Sequence, residues 1–88
     1  MVERAITYGQ LRRFLMELGF EDRSDEYLIF EHPNTAGAAL HMALHPLDEP
    51  VLGRDLASAR AVLALSGLME REAFDRWIWE EKTRAAAS

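Results

Sequence analysis

The stretch Tyr27-Leu28-Ile29-Phe30-Glu31-His32-Pro33 has the composition of a β-strand that runs into a turn. Aromatic and branched residues dominate it, and such side chains fit the half-buried surface of a pleated sheet. Pro33 has no N–H group for a strand ladder, so we expect the strand to cover residues 27–32. Asn34 and Gly37 tolerate the positive φ angles of turns, which predicts that a loop follows the strand.

The segment from Ala38 to His45 alternates between two classes of side chain, which is the period of a strand with one buried face. Its position just behind the first strand, with a turn between the two, predicts an antiparallel hairpin. The face that we expect to pack against helices carries Leu28, Phe30, Leu40, Met42 and Leu44. The opposite face of the second strand carries Ala39, His41, Ala43 and His45.

An amphipathic helix is predicted upstream of this hairpin. Thr7 and Gln10 form a capping-box pattern, in which the hydroxyl accepts from a helical amide and the glutamine side chain reaches back to the cap. Apolar residues then recur at three- and four-residue spacing, which predicts a helix from Tyr8 to Leu18. Gly19 is expected to end the helix in a left-handed conformation. A short strand, Phe20–Arg23, should follow.

Two further helices are predicted downstream. A loop, Pro46–Gly53, precedes a helical pattern from Arg54 to Gly67, with Asp55 placing a negative charge at the positive end of the helix dipole. Glu70 to about Arg84 forms the last helix, and residues 85–88 are expected to be a disordered tail. The chain is therefore predicted to have an α+β fold in the order α-β-β-β-α-α, with a three-stranded antiparallel sheet and helices on one face.

Length and composition place further bounds on the protein. Its 88 residues suffice for one domain, which we expect to span residues 1–84. The absence of cysteine excludes a disulfide framework and thiolate metal ligands. We expect a cytoplasmic protein that does not cross a membrane, since the first residues are not organised as a secretion signal and no apolar run approaches the ~20 residues of a bilayer span.

The charge balance disfavours nucleic acid as a partner. The formal net charge is −5, whereas proteins that bind phosphate backbones gain affinity from positive surfaces. A local basic patch from Arg12, Arg13 and Arg23 remains an alternative on which RNA could bind.

The order of short motifs resembles the HicA/YcfA-like toxins of bacterial toxin–antitoxin pairs. The resemblance extends from about Thr7 to Phe74 and rests on the order and spacing of four motifs: Leu18-Gly19-Phe20, Phe30-Glu31-His32-Pro33, His45-Pro46 and Ser66-Gly67-Leu68. It implies a fold like that of double-stranded-RNA-binding domains, messenger-RNA cleavage, and a HicB-like antitoxin as protein partner.

The residue that cleaves RNA in that family has no counterpart here. The family's strand opens with Gly-Ser-His, whereas the corresponding run in this chain is Asp25-Glu26-Tyr27. Tyr27 therefore occupies the position of the catalytic histidine. A phenol titrates near pH 10 and is a poor general base at neutral pH, and two acids beside it would repel RNA. An aromatic cross-strand contact is the simpler role for Tyr27.

The histidines are the other candidates for chemistry. His41 and His45 share a predicted face, but strand geometry separates them by about 13 Å, too far for one metal ion. Glu31 and His41 are predicted cross-strand neighbours, which would suit an acid–base pair or a solvated polar face equally. His32 and His45 precede prolines, where we expect hydrogen bonds of turns. No cofactor or metal is predicted.

The last helix is a second candidate surface. Phe74, Trp77 and Ile78 fit its buried edge, whereas Trp79 lies about 100° further round the helix. Trp79 is thus either half-buried or part of a contact surface for self-association or partner docking.

These observations favour a non-catalytic binding module. Its predicted surface carries Tyr27, Ile29, Glu31, His41 and His45, and the acidic balance favours a protein partner over RNA. The alternative is an active endoribonuclease toxin that uses His41 or His32 in place of the family's histidine.

Overall fold

The computed structural model of the chain describes residues 5–87, which form three helices and one three-stranded antiparallel sheet. The strands lie in the order β1-β2-β3, and the predicted α+β order of elements is confirmed. The elements are α1 (Tyr8–Glu17), β1 (Glu21–Asp22), β2 (Tyr27–Glu31), β3 (Ala39–Ala43), α2 (Gly53–Leu65) and α3 (Arg71–Ala87).

Local signals fix both ends of α1. Both hydrogen bonds of the capping box between Thr7 and Gln10 are present. At the other end Gly19 has a φ of 101°, and the amides of Gly19 and Phe20 donate to the carbonyls of Met16 and Leu15. This pair of bonds is a Schellman motif, which satisfies carbonyls that the helix leaves open. Because Phe20 belongs to this cap, β1 is shorter than predicted.

The predicted hairpin is confirmed, and it supplies one wall of the core. β2 and β3 are antiparallel, with Leu28 opposite Met42 and Phe30 opposite Leu40. All four side chains are buried. The prediction that Leu44 joins them is wrong: β3 ends at Ala43, and Leu44 is 59% exposed. Alternation holds only while the chain remains a strand, so it cannot place a residue beyond the strand's end.

The helices cover the apolar side of the hairpin. Leu11, Leu15, Ala59, Leu63 and Phe74 are buried with the strand residues in one core. α2 packs against both β3 and α3. α3 extends to Ala87, beyond the predicted end near Arg84; Ser88, the last residue of the predicted tail, lies outside the described residues.

A buried polar contact ties the start of α1 to the start of α2. The Tyr8 hydroxyl donates to Asp55 Oδ2 over 2.6 Å and accepts from the Leu52 amide at 3.2 Å. Both side chains are buried. Asp55 therefore has a partner in the core as well as its predicted place in the first turn of α2.

Candidate functional site

The open face of the sheet is the side of the hairpin that no helix covers. We define it by Tyr27, Ile29 and Glu31 of β2 and Ala39, His41 and Ala43 of β3, which alternate with the buried residues. The register places Tyr27 opposite Ala43, Ile29 opposite His41 and Glu31 opposite Ala39. Four of the five predicted surface residues thus lie on this face.

Tyr27 is the most prominent side chain of the open face. Its side chain is 57% exposed, and the small side chain of Ala43 opposite leaves one flank of the ring uncovered. Asp25 and Glu26, which precede it, are both exposed. Position 27 therefore presents an aromatic ring bordered by two carboxylates.

His41 lacks the acidic partner that was predicted for it. The cross-strand neighbour of His41 is Ile29, not Glu31, so the predicted pairing is wrong. The Glu31 carboxylate is instead 3.0 Å from Arg23 Nε. Because side chains directly opposite each other approach most closely, the structure does not hold a carboxylate against the His41 ring.

His45 does not lie on the open face, which corrects the prediction that it shares a face with His41. Its ring stacks on the buried ring of Tyr8, with centroids 4.6 Å apart and planes within 4°. Nδ1 is 3.3 Å from a Glu49 carboxylate oxygen, and Nε2 is buried without a hydrogen-bond partner among the described residues. β3 ends two residues before His45, so the chain turns its ring towards the helices.

His32 is held by the backbone on both sides of its ring. Nε2 lies 3.1 Å from the Leu18 carbonyl oxygen, and the Asn34 amide donates to Nδ1 over 3.3 Å. Because Nδ1 accepts from the Asn34 amide, Nε2 is the nitrogen that would donate to the Leu18 carbonyl. The prediction of turn hydrogen bonds at His32 is confirmed. Both nitrogens are occupied, so neither is left to act on a substrate.

The arginines of the alternative basic patch are paired with acids. Arg12 Nε lies 2.7 Å from Asp22, and Arg23 contacts both Glu21 and Glu31. Burial opposes ionisation of Asp22, but hydrogen bonds from Ser24 and Arg12 outweigh it and hold the pKa of Asp22 below its usual value. The two arginines therefore contribute little net positive potential.

Arg13 does not restore a basic surface. It is exposed and borders a groove that also contains Glu17 and the ion pair of Arg84 with Glu81. Phosphate binding requires cations without competing carboxylates, and this surface offers both signs of charge.

The last helix presents Trp79 to solvent. Its side chain is 68% exposed, whereas Trp77 stacks on Phe14 with ring centroids 3.9 Å apart. The half-buried alternative for Trp79 is therefore wrong, and its role in a contact surface stays a prediction. Trp79 and Tyr27 are thus both exposed aromatic side chains, one on α3 and one on β2.

An apolar groove that sequence reasoning missed lies at the end of the hairpin. It has a volume of about 740 Å³ and is lined by Leu28, Leu44, Pro46 and Leu47, with the Arg12–Asp22 ion pair and His45 at its border. Leu44 and Leu47 are both exposed. Pro46 was the feature of the sequence that could have indicated this groove. A proline ends a strand, so the alternation of side chains need not extend to Leu44 just before it.

The described part of the chain offers no group of three or more His, Cys, Asp or Glu residues that could hold a metal ion. Within residues 5–87, no helix combines the length and apolar character needed to cross a bilayer.

Comparison with known proteins gives no relative: no protein-family model, curated protein or solved structure matches the chain. The HicA-like interpretation therefore rests on the sequence motifs alone.

Proposed function

We propose that this chain is a HicA-like domain, with the sheet of a double-stranded-RNA-binding-domain-like fold, that binds a protein partner through its open face. In this proposal it has lost the RNA-cleaving chemistry of the family. The observation that carries the proposal is where the three histidines lie. His32 contacts the Leu18 carbonyl, His45 stacks on Tyr8, and only His41 lies on the open face.

The composition of the open face supports a protein partner. Tyr27 offers a large, rigid aromatic side chain next to the small Ala43 and near Ile29, and aromatic residues dominate the energetics of protein interfaces. Asp25 and Glu26 border this apolar centre with negative charge. A partner that presents an apolar pocket with a basic rim, as a HicB-like antitoxin could, would complement this face.

The endoribonuclease alternative lacks two features that its chemistry needs. General acid–base cleavage needs a base that a second group orients, and His41 faces Ile29. RNA binding also gains affinity from positive surfaces, but Arg12 and Arg23 are paired with acids and the formal net charge of the chain is −5.

Tyr27→Ala should abolish binding of the protein partner, whereas Trp79→Ala should leave it unchanged. The two substitutions remove exposed aromatic side chains of different surfaces and are matched in chemistry. Loss of an interface anchor costs about 2 kcal/mol or more, roughly a thirtyfold loss of affinity. Affinity capture from lysate of the source cells, with and without nuclease treatment, measures both variants against the wild type.

The two variants and the nuclease treatment distinguish the candidate functions. The proposal predicts a protein that survives nuclease treatment, is retained by Trp79→Ala and is lost with Tyr27→Ala. Associations that disappear on nuclease treatment would show RNA binding instead. Loss with Trp79→Ala alone would place the contact on the last helix.

A further inference from the structure

We propose that β3 pairs with the β3 strand of a second copy of this chain, so that two sheets join edge to edge about a two-fold axis at His41. The contact is made by the backbone edge of β3 and not by the side chains of the open face, and it goes beyond the proposed function. Its basis is the hydrogen-bonding capacity and the sequence of Ala39–Ala43.

The outer edge of β3 carries unused backbone groups. The His32 amide donates to the Ala38 carbonyl, which fixes the alternation of the ladder between β2 and β3. In an antiparallel pair every second residue bonds to its neighbour, so Leu40 and Met42 direct their N–H and C=O groups towards β2. His41 and Ala43 direct theirs outwards, where no described residue meets them.

The Ala39 end of this edge is partly occupied. The Ala39 amide donates to the Gly37 carbonyl over 3.1 Å, whereas no described residue donates to the Ala39 carbonyl. The groups available to a second strand are therefore the amides and carbonyls of His41 and Ala43, and the carbonyl of Ala39.

β3 also lacks the devices that keep edge strands apart. Natural sheets protect their edges with charged residues, proline, bulges or very short strands. The opposite edge follows this rule, since β1 has two residues, both acidic. β3 has five residues without lysine, acid or proline. A strand edge of this kind is a template for another strand.

The sequence of β3 identifies a second copy as the occupant. Ala-Leu-His-Met-Ala is nearly the same in both directions by size and polarity. An antiparallel pair about His41 would place Leu40 opposite the partner's Met42, and Ala39 opposite the partner's Ala43. A two-fold interface requires such self-complementarity, which also places His41 opposite the partner's His41 on the axis.

The helix α2 adds a second surface, whose outer flank carries Arg54, Ser58, Val62 and Leu65. α2 packs on β3, and its Arg60 side is held to α3 by the ion pair with Asp75. Helical spacing places Ser58 and Val62 on the flank away from Arg60, with Leu65 next to them. Leu65 is 83% exposed although it is a large apolar residue. A pair of five-residue strands buries less than the ~1,000 Å² of a stable interface, so this flank would complete the contact.

Ala43→Pro tests the edge without disturbing the sheet. Because the Ala43 amide points outwards, proline there removes a donor from the proposed interface and none from the β2–β3 ladder. His41→Lys places two positive charges at the two-fold axis, and Thr83→Lys adds the same charge to an exposed position of α3 as its control. Sedimentation velocity from 10 to 500 μM (a range of ~50-fold) measures the mass of each.

The proposal predicts a reversible dimer of the wild type whose dissociation constant rises at least about tenfold in Ala43→Pro and His41→Lys. Thr83→Lys and Trp79→Ala should dimerise as the wild type does. Hydrogen exchange of the His41 and Ala43 amides should slow as protein concentration rises. Circular dichroism and thermal unfolding check that each variant is folded.

Three results would overturn the dimer. They are a monomer at every concentration, a dimer indifferent to both β3 variants, and exchange at His41 and Ala43 that does not depend on concentration. Tyr27→Ala should leave the dimer intact, since Tyr27 lies on β2. Failure of the dimer is thereby distinguished from failure of partner binding.

Discussion

Replacing Asp55 with alanine should lower the free energy of unfolding by about 2–4 kcal/mol, the sum of a buried donor left without an acceptor and a lost charge at a helix N-terminus. Tyr8 is 2% exposed and donates to Asp55 over 2.6 Å, so the substitution leaves a buried hydroxyl without its acceptor. In a domain of this size each kcal/mol lowers Tm by about 4–8 °C. Thermal and urea unfolding measure the loss.

Matched variants isolate the Tyr8–Asp55 contact from general effects of removing an acid. Asp48→Ala removes an exposed carboxylate from the same loop region and should change stability by less than about 0.5 kcal/mol. The double variant Tyr8→Phe/Asp55→Ala should be less destabilised than the sum of the single variants, because no buried hydroxyl is then left without an acceptor. If the two single substitutions lower the free energy of unfolding additively, a direct hydrogen bond between Tyr8 and Asp55 is contradicted.

The same contact gives stability a dependence on alkaline pH. Burial, and then the hydrogen bond to Asp55, raise the pKa of Tyr8 above its usual value. Since the folded pKa lies above the unfolded one, the neutral phenol contributes stability that is complete below about pH 10. This contribution is lost as the pH rises through the folded pKa. Tyr8→Phe should remove this part of the alkaline loss.

Gly19→Ala should destabilise the protein by about 2–3 kcal/mol, combining the strain of a left-handed alanine with displacement of a hydrogen-bonded ring. The φ of Gly19 is 101°, and a Cβ built there would lie 2.9 Å from His32 Nε2. His32 would have to leave the Leu18 carbonyl to make room. Chemical denaturation measures the change.

Gly37→Ala is the matched control for this substitution. Gly37 has a φ of 82°, but a Cβ there meets no heavy atom within 4 Å, so only the backbone strain of about 1–2 kcal/mol is expected. In a His32→Ala background, Gly19→Ala should cost no more than this control. An equal cost for both glycines with His32 present would mean that the His32 ring moves freely, contrary to its structural role.

Sequence patterns predicted the parts of this fold that depend on near neighbours. The Thr7–Gln10 cap requires residues three positions apart, and Gly19 requires only the end of a helix. The alternation of Leu40 and Met42 likewise needs no knowledge of the partner strand. Such signals are confirmed here because their physical cause lies within one or two turns of chain.

Contacts between distant residues were not predictable in the same way. Glu31 and His41 were expected to face each other, but the loop between the strands sets a register in which Ile29 is opposite His41. The stacking of His45 on Tyr8 and the bond from Tyr8 to Asp55 join segments far apart in sequence. No local pattern marks these pairs. The observed neighbours of His41 and His45 therefore differ from the predicted ones.

Induced expression in a bacterial host, followed by measurement of growth and of messenger-RNA integrity, tests most directly whether this domain lacks RNA-cleaving activity. The account predicts unchanged growth and full-length messenger RNA with the wild type and with His41→Ala alike. Growth arrest with degraded messenger RNA, relieved by His41→Ala, would contradict it.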